Sequence, residues 1–477
     1  MDIKALKKSV SSQIQNSISS FNLLAKRHCL SPIYNSEWEK DNDLYAGLEV
    51  LKKYVEESSL KGLQNSQIIS EKGKTPAFFF TVDPTATEET YTVLFYGHID
   101  KIPFGTGWEE KKNPEEPVII DGLYYGRGIA NGGYCIFTII AALKAIQAQP
   151  EVGKHPKIAV LIETSKESGS FDLTYHLQNI MKTVSPNLII SLDGEVPGYD
   201  YLNYTTSMKG ELSFDVKITV LTRGVHSGKN GGLAPDSFLI MQTLLNRIET
   251  IQDNKITIPS LDIELSDAEK ANANEFTEIM GDTFYESVPF VHGIKLLETG
   301  TENIYINSTF KPVLNIIGQE GMPTVQDCSA TIRASTTFRL KFSLPPRKDV
   351  NEAQEAIKKL ITENPPYQAS IEINNYKIIQ GCEIPLPEKI KTELNKDVKA
   401  LFSADTILCS GTRDTYPYVS YLKALFPDVP IVITGVGDMN SSNIRGPNEN
   451  IHLAFWMKNT NQLAYFISKN LSDVRLT

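Results

Sequence analysis

Basic charge, cysteine and long apolar runs are all in short supply in this 477-residue chain. Its 47 Lys and Arg are outnumbered by 57 Asp and Glu, giving a formal net charge of -10. That balance argues against a nucleic-acid partner, which calls for a basic stripe to displace the counterions around phosphates. Only five cysteines occur (Cys29, Cys135, Cys328, Cys382 and Cys409), and no two form a CxxC pair. Their odd number and wide spacing read as reduced thiols of a cytoplasmic protein. The strongest apolar run, YCIFTIIAAL, is about half the length of a membrane span. The opening segment MDIKALKKSVSSQIQNSISSFNLLAK mixes polar and apolar residues too evenly for a signal-peptide core. No membrane segment and no secretion signal are expected.

What is present is an alternation of strand and helix patterns. Residues 1 to about 60 read as helical, with Ile3, Leu6, Val10, Ile14 and Ile18 near one face. TPAFFFTV, YTVLFYGHID, KIAVLIETSKESGS and NLIISLDGEVPG read as buried strands running into polar turns, and IANGGYCIFTIIAALKAIQ as a Gly-rich turn opening a buried helix. This pattern predicts an α/β sheet with its chemistry at the carboxyl ends of the strands. Near residue 208 the character changes. GELSFDVKITVLT alternates with period two like an exposed antiparallel strand, PDSFLIMQTLLNRIE and RKDVNEAQEAIKKLIT read as helices, DAEKANANEF as a polar stretch, and CSATIRASTTFRLKFSL alternates again. From about residue 380 the α/β pattern returns. The expectation is a split α/β domain, 1–207 and 381–477, interrupted by an α+β insert at 208–380 of ordinary domain size.

The polar clusters sit where strands end. His98 and Asp100, two residues apart, leave the same side of an extended chain, and a carboxylate beside a histidine can orient the ring of a metal ligand. Alone, this pair reads more simply as a turn containing one histidine. The set is more specific. YGHIDKIPFGTGW, DGLYYGRGIANGG, IETSKESGS, ISLDGE, TRGVHSGKNGG and GVGDMNSSNIRGPNENI follow one another in an order that resembles the M20 metallopeptidases, most closely their carnosine-dipeptidase-like branch. The resemblance runs from about residue 45 to the C-terminus. It implies a zinc-peptidase-type mixed sheet flanked by helices, two zinc ions at the sheet's carboxyl edge, and an insert serving as lid and dimerisation domain. It also implies a homodimer, with a lid histidine reaching the partner's site.

Carried over position by position, the resemblance makes His98, Glu167 and Asp193 retained metal ligands and Asp100 the carboxylate orienting His98. His226 matches the histidine lent by the lid, with a catalytic and substrate-binding role. The other key positions depart from the pattern. The bridging Asp falls on Asn131, the general-base Glu on Lys166, and the last metal His on Arg445. The lid arginine that grips a substrate carboxylate falls on Ser343, with Arg339 close by. Asn131 offers one neutral carbonyl oxygen, a poor bridge between two cations. Arg445 has no lone pair to donate. Lys166 lies among carboxylates that raise its pKa and so weaken it as a base.

Of the seven histidines, only His452 lies near Arg445, inside a closing helix pattern where it reads as a helix-face residue. Glu163 and Arg127 read as structural. Charge counting accounts for the substitutions: Lys166 and Arg445 against three carboxylates leave the same net charge as the family's two zinc ions against five. Three readings remain. The first is a non-hydrolytic pseudoenzyme binding a small peptide-like or amino-acid-like ligand, with no cofactor. The second is an active M20 dipeptidase holding one zinc on His98, Glu167 and Asp193. The third is a metal-free enzyme using Lys166. The first is favoured, because the residues of a metal centre act as a unit and three departures fall in one centre.

Overall fold

A computed structural model describes residues 1–469 apart from 86–90, 150–152, 251–254, 287 and 404–405. The apolar runs assemble into a six-stranded sheet in the order Leu63–Ile69, Ala77–Val82, Lys157–Glu163, Thr92–His98, Leu188–Ser191, Ile431–Ile433. The last four strands are mutually parallel, so the residues following Glu163, His98 and Ser191 emerge at one edge. Alternate side chains leave opposite faces of a strand. Val93 and Phe95 enter one core and Leu94 and Tyr96 the other, which is why these strands are apolar throughout rather than alternating.

The first core is covered by Ile3–Ala25, Cys135–Gln147 and Leu453–Ile467. Leu6, Val10 and Ile14 line the buried stripe of the first helix, each contributing about 1.5–3 kcal/mol over exposure. The helix Cys135–Gln147 is apolar all round because helices flank it while it packs on the sheet. Leu173–Ile180 and Pro417–Leu425 cover the second core.

A separate four-stranded antiparallel sheet, in the order Val313–Glu320, Ser335–Leu344, Gly210–Thr219, Ser370–Ile379, carries its own core with the helices Ser237–Leu245 and Val350–Thr362. Gly210–Thr219 is not an exposed strand. It lies in the middle of its sheet, with Glu211 and Ser213 buried. Its alternation survives because Lys341 and Lys377 reach over to Glu211 at 3.1 and 2.8 Å.

DAEKANANEF likewise forms helix rather than a polar stretch, as part of Asp267–Met280. Ser266 and Glu269 cap each other's backbone there, and only Ala273, Phe276 and Thr277 are buried, too few for a clear apolar period. With Phe284, Tyr305 and Phe310 this helix packs on Leu408, from the C-terminal α/β portion. Among the described residues no helix is long and apolar enough to cross a membrane.

Candidate functional site

The edge where the parallel strands end gathers seven of the singled-out residues. His98 closes its strand and Asp100 follows two residues later; Nδ1 of His98 lies 3.1 Å from Asp100 Oδ1. The other oxygen of Asp100 accepts from the Glu167 amide at 2.8 Å, tying together the ends of two parallel strands. Lys166 and Glu167 stand on the single 3-10 turn Lys166–Ser168, and Asp193 lies two residues beyond Leu188–Ser191.

Asn131 arrives from the tight turn Ile129–Gly133. Gly132 there has φ +83°, and a Cβ on it would fall on His98 Nε2, so the turn requires glycine. Glu449 fixes this turn from beneath. It is wholly buried, accepts from the amides of Ala130 and Asn131 at 3.1 Å each, and pairs with Arg127 at 2.8 Å. Arg127 is therefore structural.

The cations lie among the carboxylates. Lys166 Nζ is 2.9 Å from Asp193 Oδ2, 3.4 Å from Glu167 Oε1 and 3.5 Å from Asn131 Oδ1. Arg445 grips Glu167 with both arms, Nε to Oε2 at 2.8 Å and Nη2 to Oε1 at 2.9 Å. It does so with φ +67°, a left-handed conformation that costs an arginine roughly 1–2 kcal/mol, offset by the bidentate pair. Asn131 Nδ2 donates to the same Glu167 oxygen at 3.1 Å. His98 Nε2 lies 3.5 Å from Asp193 Oδ1, beyond ordinary hydrogen-bond length, and has no closer partner.

The charges lock one another. Burial opposes ionisation of Lys166, yet Asp193 and Glu167 outweigh it and hold the ammonium above its usual pKa. Asp193 and Glu167 are driven the opposite way: burial would raise them, but Lys166 and then its cationic neighbours pull both below the usual carboxylate range. Burial and Lys166 both disfavour a charged His98, and Asp100 and Asp193 overcome them, lifting it to about 9. Three carboxylates thus face three cations. Glu163, just upstream, stays outside this exchange: Tyr96 and Ser165 donate to it, and burial followed by Asp100 raises it to about 7. Among the described residues no three His, Cys, Asp or Glu side chains are disposed to hold a metal ion.

Three singled-out residues lie elsewhere. His226 is exposed, its Nδ1 accepting from the Gly228 amide at 3.1 Å. Arg339 is bound to Asp215 on the neighbouring strand at 2.6 and 2.8 Å. Ser343 lines a cavity together with Lys209 and Arg413. His452 is the N-cap of Leu453–Ile467 rather than a helix-face residue, its Nδ1 accepting from the Phe455 amide at 3.3 Å. The sequence reading passed over Glu449, Lys209 and Arg413. Glu449 was visible only as part of GPNENI, and Lys209 only as a charged residue just ahead of an alternating strand.

The arrangement of strands, turn and loop is that of a known group of hydrolases. The profile of peptidase family M20/M25/M40 matches residues 94–469. The chain belongs to that family. The cysteinylglycine-S-conjugate dipeptidase of Corynebacterium striatum is 24% identical over 364 residues, 76% of this chain and 77% of the relative. The crystal structure of human carnosine dipeptidase 1 superposes with a TM-score of 0.77 at 16% identity, covering 98% of each chain. The di-peptidase Dug1p from Saccharomyces cerevisiae gives 0.73 at 17% identity, again over 98% of each. The M20 fold, with its mixed sheet and helices, is thereby established.

Proposed function

We propose that this M20 protein does not hydrolyse peptides by the two-zinc route and instead binds a small peptide-like or amino-acid-like ligand. The observation that carries the reading is the ammonium of Lys166 seated between Asp193 and Glu167 at 2.9 and 3.4 Å. These residues do not fit a pair of zinc ions. The carboxylates that would ligate already spend their oxygens on Lys166 and Arg445. The bridging position offers only the Asn131 amide, which donates to Glu167 instead of accepting a metal. The C-terminal ligand position is a guanidinium.

The zinc of other M20 peptidases would act as a Lewis acid and activate water. The raised pKa of Lys166 speaks against the metal-free alternative with that lysine as base. One observation favours the single-zinc dipeptidase: His98 Nε2 lacks a close partner and faces Asp193.

The same reading places the insert 208–380 as a lid through which two chains pair, with His226 lent to the partner's cleft and Ser343 and Arg339 near the ligand. It also places the protein in the cytoplasm, free of membrane and nucleic acid.

The test is metal content per chain by elemental mass spectrometry after zinc saturation and desalting, alongside dipeptide hydrolysis with and without chelator. Fewer than about a tenth of chains metallated, with no turnover, supports the proposal, since an intact site retains its metal. About one zinc per chain with chelator-sensitive turnover overturns it in favour of the dipeptidase.

A further inference from the structure

A second cavity, of about 390 Å³, falls within the size range of small-molecule sites. It lies on a different face of the helix Thr301–Phe310 from the cavity lined by Ser343. Ile304, Asn307 and Ser308 line that one, whereas Tyr305 and Phe310 line this one. One wall is the start of the helix Asp267–Met280. The facing wall comes from the strands Asn203–Met208 and Leu408–Thr412 and the start of the helix Glu388–Phe402.

The charge of this cavity is negative. Glu269, Glu383 and Glu388 line it against the single ammonium of Lys391. Arg347, outside the wall, reaches Glu269 at 3.0 Å and Glu383 at 3.6 Å. Lys423 donates to the Glu383 carbonyl at 2.6 Å, and Lys391 is itself drawn to Glu275 at 3.7 Å. Four carboxylates thus meet three cations, and one negative charge is left over. Burial lifts the Glu383 carboxyl above its usual range; Arg347 opposes the rise and Glu269 adds to it.

Unpartnered polar atoms give the cavity a second, independent character. Ser207 is only 3% exposed, and among the described residues its Oγ has no hydrogen-bond partner. Gly411 keeps the space beside that hydroxyl open, since a Cβ there would fall 2.5 Å from it. Glu269 spends Oε2 on the Ser266 amide and hydroxyl at 2.7 and 3.0 Å and on Arg347. Its Oε1 is buried without a partner. Buried polar atoms are ordinarily hydrogen-bonded, so both call for a donor. Tyr305 and Phe310, each 4% exposed, add aromatic surface. The Tyr305 hydroxyl is already engaged by the Gly411 amide at 2.8 Å.

We propose that this cavity binds a primary alkylammonium ion, its N–H groups meeting Glu269 Oε1, Glu383 and Ser207 Oγ and its chain lying on Tyr305 and Phe310. A primary ammonium brings three donors and the one missing positive charge, and the rings favour a cation with an aliphatic body. A quaternary ammonium has no N–H to give, and a neutral alcohol leaves the excess charge unmatched. A metal ion fits less well, because among the described residues no three side chains are disposed to ligate one. An occupant would tie the helix Asp267–Met280 to the strand Leu408–Thr412. The proposal is independent of zinc, which concerns the other side of the molecule's charged groups.

The experiment is calorimetric titration of the full chain with butylamine at neutral pH, set against butanol and tetramethylammonium. Butylamine is expected to bind about ten-fold tighter than either, the worth of one hydrogen bond to a charged group. Ser207→Ala removes an atom that bonds nothing in the protein, so the fold is kept, and it is expected to weaken butylamine about ten-fold. Glu269→Gln keeps an oxygen for the Ser266 cap while turning an amide nitrogen to the cavity, and is expected to weaken it at least as much. On the unaltered chain, butylamine is expected to slow hydrogen exchange across residues 266–276. Equal binding of butanol or tetramethylammonium, affinity unchanged in both variants, or protection confined to the strand-end ion cluster would each overturn the proposal. None of these outcomes reads zinc or turnover, so failure here is distinguishable from failure of the pseudoenzyme reading.

Discussion

Replacing Lys166 by methionine removes a charge while nearly preserving the aliphatic stem, so the variant isolates electrostatics from packing. Breaking a buried ion pair from one side costs about 3–5 kcal/mol, because the partner is left buried and uncompensated. The structure places this case at the low end of that range. Glu167 keeps both arms of Arg445 at 2.8 and 2.9 Å. Asp193 loses its 2.9 Å partner but retains His98 at 3.5 Å.

The expected loss is therefore about 3 kcal/mol, or about 1 M in urea midpoint for an m-value near 3 kcal/mol/M. Urea unfolding followed by circular dichroism measures it. Adding Asp193→Asn to Lys166→Met is expected to recover about 2 kcal/mol, since the orphaned charge goes with its partner, and the double-mutant cycle reports that coupling. An unchanged midpoint for Lys166→Met, or no recovery on adding Asp193→Asn, would refute the argument that the lysine neutralises the site.

Glu163→Gln is expected to flatten part of the pH dependence. The folded-state pKa of about 7 exceeds the unfolded 4.5, so Glu163's contribution is fully present below pH 4.5 and is lost as pH rises through 7. The variant should be more stable than wild type at pH 8, by at most about 3 kcal/mol, with no gain at pH 4; an equal gain at both would show that ionisation is not involved. Lys209→Met acts in the other direction. A lysine held near 7 against an ordinary 10.5 destabilises the fold below pH 7 and ceases to do so as pH rises to 10.5. The variant should therefore gain most at pH 6 and nothing at pH 10.5, as thermal unfolding across that range will report. The triple variant Asn131→Asp, Lys166→Glu and Arg445→His restores the family's donor set and is expected to take up zinc at more than one ion per chain by elemental analysis, whereas each single change should take up none.

Much of this was legible because the signals were local and redundant. Apolar runs ending in polar turns located the parallel strands, and the pattern of GHID, SKES and SLDGE placed His98, Lys166, Glu167 and Asp193 at strand ends. Their convergence on one edge follows from the parallel order of Lys157–Glu163, Thr92–His98 and Leu188–Ser191. Contacts between distant segments were not legible. Glu449 meets Arg127 across 322 residues, and nothing in either neighbourhood announces the other. Lys209 is hidden for the same reason, since its burial comes from Ser308 and the wall around it rather than from its own strand. Gly210–Thr219 read as exposed because its polar positions are neutralised by lysines of neighbouring strands, a pairing that single-strand periodicity does not record.

The substitutions at the ion cluster make physical sense only together. Arg445 on its own would satisfy Glu167 and leave Asp193 facing His98 alone. Lys166 on its own would leave Glu167 with one ammonium at 3.4 Å and the Asn131 amide. An aspartate at 131 would add a fourth carboxylate to three cations, and the neutral amide that stands there instead donates to Glu167 from one end and faces Lys166 from the other. Each replacement removes a strain that another would have left, because in a network of charges at a largely buried site partial satisfaction is costly. The strand-end backbone is thereby held together, Asp100 stitching Glu167 to the end of its neighbouring strand at 2.8 Å. Beside that cluster, Lys209 and Arg413 line a cavity in which Lys209 donates only to the Ser308 carbonyl.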